Sequence, residues 1–571
     1  MRNLGCKGFM TTLTDFLRSA IGTKAYGPQF VKPFAEPWRM VALFLVWLGL
    51  FGVANFTLER TGAFKAEFDG NPDEASHMMT GMLIRDYLVS GTPLPAVKYA
   101  ERQYLAYPKF AFGIWPPLFH VLEGGWFLFF DPTRESAILL MAALLSLSAV
   151  LSFVALRDEI GNKAACMIAL FMVICPVTVS QFGVVIADAL LVPLTLAATW
   201  YFARFLETHA LRHSIWFGVF SALAFLTKYN AFLLVFVPVL GIVLTRQWRL
   251  WLNPRLWAAP ALILLLAGPW YAGHVPLIQY AADMGPAGFD SRSHASLSNL
   301  LSLISFMGPL GSLLVGIGLW SRLVGDKRAS ANSAAQAGLL FGVWAMHSVL
   351  YPTVSLRYLL PAMPALLYFF WAGLGPVTRV LKRALPRYAM RGLALTSFVL
   401  MLLARPHEKP PRGWRDLTTH LRGLAASKVM MVCGDGAAEG ALIAEMAIHD
   451  RQRDQKPEWT VLRGSKMLAK STWMDGNYRL TLNSPADILR SLKDWGVSVV
   501  AIDLTEKLHP HEALLLTTLE HGGNWREEPT QMDGIRVFVD TVPPLVSRQP
   551  IEVDMTYTLG RTLRQEPGKI D

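Results

Sequence analysis

The chain has 571 residues, of which 53% are hydrophobic and 17% charged, against roughly 25% charged in an ordinary soluble domain. That balance excludes a protein whose whole length meets water and points to a polytopic membrane protein. A formal net charge of +11 would suit a nucleic-acid binder, but the excess Lys and Arg lie in loops flanking apolar segments, which leaves no nucleic-acid footprint.

A bilayer crossing takes about 20 mostly apolar residues, with about 17 tolerated; in chain order, candidate segments, several of them short, fall near residues 40–56, 136–156, 164–182, 188–206, 214–227, 229–245, 257–273, 299–320, 336–352, 356–375 and 388–404. The first lacks a short apolar core followed by an A-x-A site, so it reads as an uncleaved span after a cytoplasmic segment of residues 1–39. The distribution of basic residues tests this parity. With the N-terminus cytoplasmic, the inner segments hold 21 Lys and Arg, whereas the four short outer connections hold only Lys228, Arg292 and Arg357.

This arrangement requires "FAFGIWPPLFHVLEGGWFLFF", residues 110–130, not to cross. Pro116, Pro117, Gly124 and Gly125 weaken it as a continuous helix, and His120 and Glu123 would be costly in lipid. It reads as a re-entrant or interfacial helix within a large outer loop, residues 57–135, of a transmembrane domain running from residue 40 to 404.

Residues 405–571 are expected to form an extracytoplasmic α/β domain behind a Pro-rich, charged linker, "LLARPHEKPPRGWRDL". Strand-like "KVMMVCG", "WTVLRG", "VSVVAIDL" and "IRVFVD" alternate with helical "EGALIAEMAIHD", "SPADILRSLKDWG" and "HPHEALLLTTLEHGG". In the second helix Ser484 is the N-cap, Pro485 the first helical residue and Gly496 the stop. The turn "CGDGAAEG" lacks both the G-x-G-x-x-G order and a following Lys-Ser/Thr, so a plain tight turn is preferred over a nucleotide site. Four cysteines, Cys6, Cys166, Cys175 and Cys433, show no paired or metal-binding spacing; nine helical residues put Cys166 and Cys175 about 13 Å apart, beyond disulfide reach.

The densest chemistry lies in "EFDGNPDEASHMMTG", residues 67–81, which sets Glu67, Asp69, Asp73 and Glu74 beside the first span. Asn71-Pro72 makes a turn and a helix follows, so Asp73 can be a helix cap and Glu74 a solvated first-turn partner. Farther along, "FGVVIADALLVPL" puts Asp188 at the outer end of the fourth span, "LAFLTKYNAFLLVFVPVL" puts Lys228 between two apolar helices, and "YPTVSLRYLLPAMPALL" puts Arg357 at the outer start of another. Lys228 and Arg357 can snorkel to lipid phosphates, or can meet an anionic lipid-linked substrate on a base-poor surface. Lys109 is a further cation ahead of the re-entrant segment.

The order of "PDE" after the first span, "WPPL", "ADALL", "LTKYNA" and "RYLLPAMPAL" resembles the GT-C-type glycosyltransferases, and within them the protein O-mannosyltransferase and aminoarabinose transferase superfamily, over roughly residues 38–404. The resemblance implies a polyprenyl-phosphate sugar donor, Asp73 as base or acceptor-orienting acid with Glu74 beside it, a second acid at Asp188, and donor-phosphate contacts from Lys228, Arg357 and Lys109. Some members carry a Lys directly before the Pro of the re-entrant segment, where this chain has Trp115.

The expectation is therefore a GT-C-like membrane protein of about 11 spans with a C-terminal soluble α/β domain. Its expected activity is inverting transfer of a sugar from a polyprenyl-phosphate donor to a protein, lipid or glycan acceptor at the outer face of the inner (plasma) membrane. No metal-ligand spacing demands a cofactor, although Asp188 with Asp73 could bind a divalent cation. A transporter or flippase, and a membrane-anchored binding or assembly protein, are the competing classes; the first would place its charged groups near mid-membrane and show internal repeats.

Overall fold

The computed structural model describes residues 37–110, 113–277, 289–324, 328–380, 388–389, 392, 411–450, 457–470, 478–542, 547–555 and 561–566. Most of the first two thirds is helical. Helices α1 (Pro37–Arg60), α2 (Glu74–Ser90), α3 (Ala96–Ala106), α4 (Leu118–Trp126), α5 (Arg134–Ile160), α6 (Asn162–Ile174) and α7 (Pro176–Phe182) lead into α8 (Asp188–Thr208) and α9 (Leu211–Phe225). The chain continues with α10 (Phe236–Leu244), α11 (Pro254–Leu266), α12 (Gly268–Gly273), α13 (Phe289–Leu323), α14 (Ala331–Ala345) and α15 (Met363–Val380).

Among the described residues, six helices are long and apolar enough to cross a membrane, or seven if α6 and α7, bent by 52°, form one span. Cys175 and Pro176 cause that bend: Pro176 lacks the N–H that would continue the ladder. The expected segments near 214–227, 229–245 and 257–273 are helical but shorter or broken, and 388–404 lies almost wholly outside the described residues. Helix α13 is likewise broken at Gly308, whose φ is 68°, just before Pro309.

Among the described residues of the apolar segment 110–130, the helix is the nine-residue α4. Nine residues rise roughly 14 Å, about half of a bilayer's hydrocarbon thickness, so this helix does not cross. Its polar residues His120 and Glu123 are buried within the protein. The Leu118 N–H donates to the Leu226 carbonyl at 2.9 Å, which ties the start of α4 to the end of α9.

The C-terminal region holds α16 (Trp414–Leu424), β1 (Val429–Cys433), α17 (Gly436–Asp450), β2 (Thr460–Arg463), α18 (Gly464–Met467), β3 (Ala469–Lys470) and β4 (Arg479–Leu480). There follow α19 (Pro485–Trp495), β5 (Val499–Asp503), α20 (Pro510–His521), β6 (Trp525–Glu528), β7 (Ile535–Asp540), β8 (Ile551–Met555) and β9 (Arg561–Gln565). A mixed five-stranded sheet has the order β2-β1-β5-β7-β6, with β1 parallel to both β2 and β5 and β7 antiparallel to β5 and β6.

Alternation with period two divides the sheet's core. Met430, Val432, Val461, Val499 and Ala501 face α17, Trp414 and Trp459, while Met431, Cys433, Leu462, Val500 and Ile502 face Leu492, Leu515 and Leu519. All four strands expected from the sequence form, and Ser484 caps α19 by accepting from the Asp487 N–H while Gly496 ends it at φ 78°. The stretch expected as a linker is partly helix: α16 begins at Trp414, after Gly413 in the left-handed region at φ 105°. In the turn after β1, the Asp435 carboxylate accepts from the N–H groups of Ala437 and Ala438 at 3.0 and 2.7 Å. The anion position at that helix start is filled by the chain itself.

Candidate active site

The four clustered carboxylates each meet a different partner. Glu67 accepts from the N–H groups of Gly413 and Arg415 at 2.8 and 2.9 Å, capping α16 from far away in sequence. Asp69 lies 3.6 Å from Arg412. Both bind the segment between α1 and α2 to the C-terminal region. Glu74 is fully buried and accepts from Arg134 Nε at 2.9 Å and from the Val185 N–H at 3.1 Å. Arg134 in turn donates to the carbonyls of Ala63, Ala66 and Gly183. A carboxylate clamped this way joins α2, α5 and the turn before α8, and that geometry is structural.

Asp73 behaves differently. Its backbone has helical φ and ψ and its side chain makes no capping bond; the Asn71 side chain accepts from the Asp73 N–H instead. The carboxylate is thereby left to face Arg357, 3.1 Å away. The helix-cap reading of Asp73 does not hold.

Arg357 lies in a 3-10 turn, Leu356–Ala362, that opens after extended Ser355. It donates to the Tyr358 hydroxyl at 3.0 Å. Behind this pair stands a second. Asp188, in the first turn of α8, accepts from Lys228 Nζ at 2.5 Å, and Lys228 sits where α9 stops and a 3-10 turn, Tyr229–Val235, begins. The two cations flank one ring: Lys228 Nζ and the Arg357 guanidinium are each 4.9 Å from the Tyr358 centroid, which adds cation–π attraction to their pairing.

The pairs differ in access. Asp188 and Lys228 side chains are 3% and 9% exposed, Asp73 and Arg357 side chains 23% and 16%. The inner pair is shielded, and the outer one opens to solvent. A pocket beside them is lined by Asp188, Asn230, Leu233, His347, Arg357 and Tyr358. His347 stacks on Tyr358 with centroids 4.5 Å apart and accepts or donates at Thr353 Oγ1, 3.0 Å away. It sits in a π-helical turn, Met346–Leu350, a distortion common where a side chain is re-aimed for function.

One turn after Asp73, His77 lies 2.9 Å from His120 and stacks on Trp115 at 4.2 Å. Burial, reinforced by His120, Lys228 and Arg357, pushes its imidazole well below the usual range, so it is neutral near pH 7. Tyr358, His347, Asn230 and His77 escaped the sequence reading although three of them stand inside the quoted motifs. The available signal was a polar residue four positions after Asp73 on an otherwise apolar helix face.

Lys109 is not beside Tyr358. Its Nζ donates to the Gly436 carbonyl at 2.7 Å, and a Cβ at Gly440 would come within 2.8 Å of its Cε. Burial and neighbouring Arg463 pull its amine down to about 7, against opposing pulls from Glu439, Asp73 and Asp435. It ties the segment after α3 to α17 of the C-terminal region.

Asp73 and Asp188 each face their own cation, so neither requires a metal ion to offset its charge. The arrangement can place one anionic group between Arg357 and Lys228 while leaving a carboxylate at the open side.

Residues 115–272 match the family Dolichyl-phosphate-mannose-protein mannosyltransferase; that stretch includes Asp188 and Lys228 but neither Asp73 nor Arg357. No curated protein matches the chain by sequence. Among solved structures, ArnT from Cupriavidus metallidurans bound to undecaprenyl phosphate superposes with a TM-score of 0.54 at 15% identity, covering 89% of this chain and 98% of that one. ArnT in the apo state gives 0.55 at 14% identity, covering 88% and 98%. The chain thus has the GT-C-type fold of ArnT over most of its length, and residues 115–272 within it are similar to the mannosyltransferase family model.

Proposed function

We propose that the protein transfers a sugar from a polyprenyl-phosphate donor to an acceptor hydroxyl. The observation that carries this reading is the meeting of two acid–base pairs, Asp73 with Arg357 and Asp188 with Lys228, around the single ring of Tyr358. The undecaprenyl phosphate bound by ArnT supports the donor class.

The donor phosphate takes over Arg357 and Lys228 as its countercharges, with the bidentate guanidinium suited to phosphate geometry. Asp73, relieved of Arg357, accepts the proton of the acceptor hydroxyl. The acceptor oxygen bonds to the anomeric carbon as the bond from that carbon to the phosphate oxygen breaks, and polyprenyl phosphate leaves with inversion. The two cations offset the charge gathering on the departing phosphate. Asp188 holds Lys228 in place, Glu74 holds the start of α2, and Lys109 supports the Asp73 turn from behind.

In this reading the eleven crossings, a cytoplasmic N-terminus and a site on the outer face of the inner membrane are retained, because they keep the basic loops on one side. The test uses purified protein in liposomes with radiolabelled polyprenyl-phosphate sugars and a panel of acceptors. Transfer that requires Asp73 is expected; equal transfer by wild type and Asp73→Asn removes Asp73 from the chemistry, and no transfer from any donor turns the assignment toward a transporter or a binding protein.

A further inference from the structure

Away from the bundle, the end of β1 meets the start of α20. Cys433 is the last residue of β1 and pairs in register with Ile502 of β5. His511 and Glu512 stand in the first turn of α20. In the strand order β2-β1-β5-β7-β6, the chain leaves β1 for β2 on one side while β5 lies on the other. The carboxyl ends of β1 and β5 therefore flank a topological switch point, the crevice where open α/β sheets hold ligands.

The donor atoms of Cys433, His511 and Glu512 all lie within 4.8 Å of one another, and the residues are 0%, 3% and 2% exposed. Glu512 Oε2 is used by the His509 N–H at 2.7 Å. Its Oε1 is buried with no hydrogen-bond partner among the described residues and faces His511 Nε2 at 3.9 Å. A buried carboxylate oxygen left so is costly unless something satisfies it. The Tyr478 hydroxyl, which takes the His511 backbone N–H at 3.0 Å, lies 2.9 Å from His511 Nδ1. It can accept an Nδ1 proton and so turn the Nε2 lone pair inward, the outer support that metal-ligating imidazoles generally have. Room at the sulfur depends on Gly464, where a Cβ would stand 2.4 Å from Cys433 Sγ.

We propose that Cys433 Sγ, His511 Nε2 and Glu512 Oε1 bind one zinc-class divalent ion that clasps the end of β1 to the start of α20. A thiolate, an imidazole and a carboxylate form a borderline-soft donor set, which suits Zn²⁺ over Mg²⁺ or Ca²⁺. Ligands 2.0–2.3 Å from a tetrahedral zinc stand roughly 3.3–3.8 Å apart, so the trio closes by about 1 Å around the ion. Water completes the fourth position. Three protein ligands with water in the fourth position is the count of catalytic more than of structural zinc, but the burial of all three closes the site to a substrate, so the ion acts as a clasp, and the site is independent of the sugar-transfer reading.

The experiment loads full-length protein, purified in detergent, with Zn²⁺, dialyses it against metal-free buffer and measures metal by mass spectrometry. About one zinc per wild-type chain and per Asp73→Asn chain is expected, falling below about a tenth in Cys433→Ser and His511→Ala. Because those variants can misfold, wild type loaded with Co²⁺ supplies a second reading: a thiolate-to-cobalt charge-transfer band in the near ultraviolet. Wild type that keeps no zinc, equal retention by both ligand variants, or a cobalt spectrum without that band overturns the proposal.

Discussion

The Asp73 carboxylate stands 3.1 Å from the Arg357 guanidinium, although the two are carried by α2 and by the turn before α15. If Arg357 passes to the donor phosphate and Asp73 to the acceptor, substitutions should separate their effects. Asp73→Asn is expected to lower kcat by about 10²–10⁴ with donor KM unchanged or reduced. Arg357→Ala is expected to raise donor KM by about 10- to 100-fold, the worth of a charged hydrogen bond. Steady-state kinetics with the donor concentration varied at saturating acceptor measure both.

Glu74 adjoins Asp73 but is held by Arg134 and the Val185 N–H. Glu74→Gln should therefore cost about 3 kcal/mol of stability, as breaking a buried pair does, while turnover per folded molecule falls far less than in Asp73→Asn. Thermal unfolding in detergent, paired with specific activity, distinguishes the neighbours.

The buried partners Asp188 and Lys228 predict non-additivity. Lys228→Met leaves a buried carboxylate unpaired and should destabilise by about 3–5 kcal/mol, whereas joining it to Asp188→Leu restores much of the loss because no charge remains. The double variant should be stable and inactive. Additive destabilisation in the unfolding cycle would contradict the pairing.

Docking of the C-terminal region through Glu67 predicts a local effect. Glu67→Gln weakens a cap worth about 1 kcal/mol, so the amides of Gly413 and Arg415, which donate to it, should exchange hydrogen about fivefold faster. Amides of β1 and β5 should be unaffected.

Lys109 gives a pH signature. Its amine titrates near 7 in the folded protein against 10.5 ordinarily, so between those values the unfolded chain binds a proton that the folded one does not. Stability from this residue therefore rises with pH across that window and is lowest below about 7. Unfolding temperatures of wild type should climb relative to Lys109→Met from pH 7 upward; parallel curves would show that Lys109 does not titrate there.

Several features were readable in the sequence because they rest on local rules. Short apolar runs marked β1, β5 and β7 as strands, and the Ser484, Pro485 and Gly496 signals bounded α19 to the residue. Asp73, Asp188, Lys228 and Arg357 were singled out because charge at the edge of an apolar segment is rare enough to be noticed. The division of labour among Glu67, Asp69, Asp73 and Glu74 was not readable. Each is assigned by a partner distant in sequence, Gly413, Arg412, Arg357 and Arg134, and no local pattern encodes such a pairing. Helix α16 was hidden for the same reason, since its cap is supplied by Glu67. His347 was missed because the π-helical turn that aims it has no composition signal.

Helix α17 backs directly onto the turn carrying Asp73: a Cβ at Gly436 would stand 3.6 Å from the Pro72 side chain, and one at Gly440 3.1 Å from Ala75. The globular appendage and the bundle are consequently not interchangeable modules. A chimera that borrows the appendage from a relative would have to import the facing surface around Pro72 and Ala75 as well, or the Asp73 carboxylate would be presented at the wrong height.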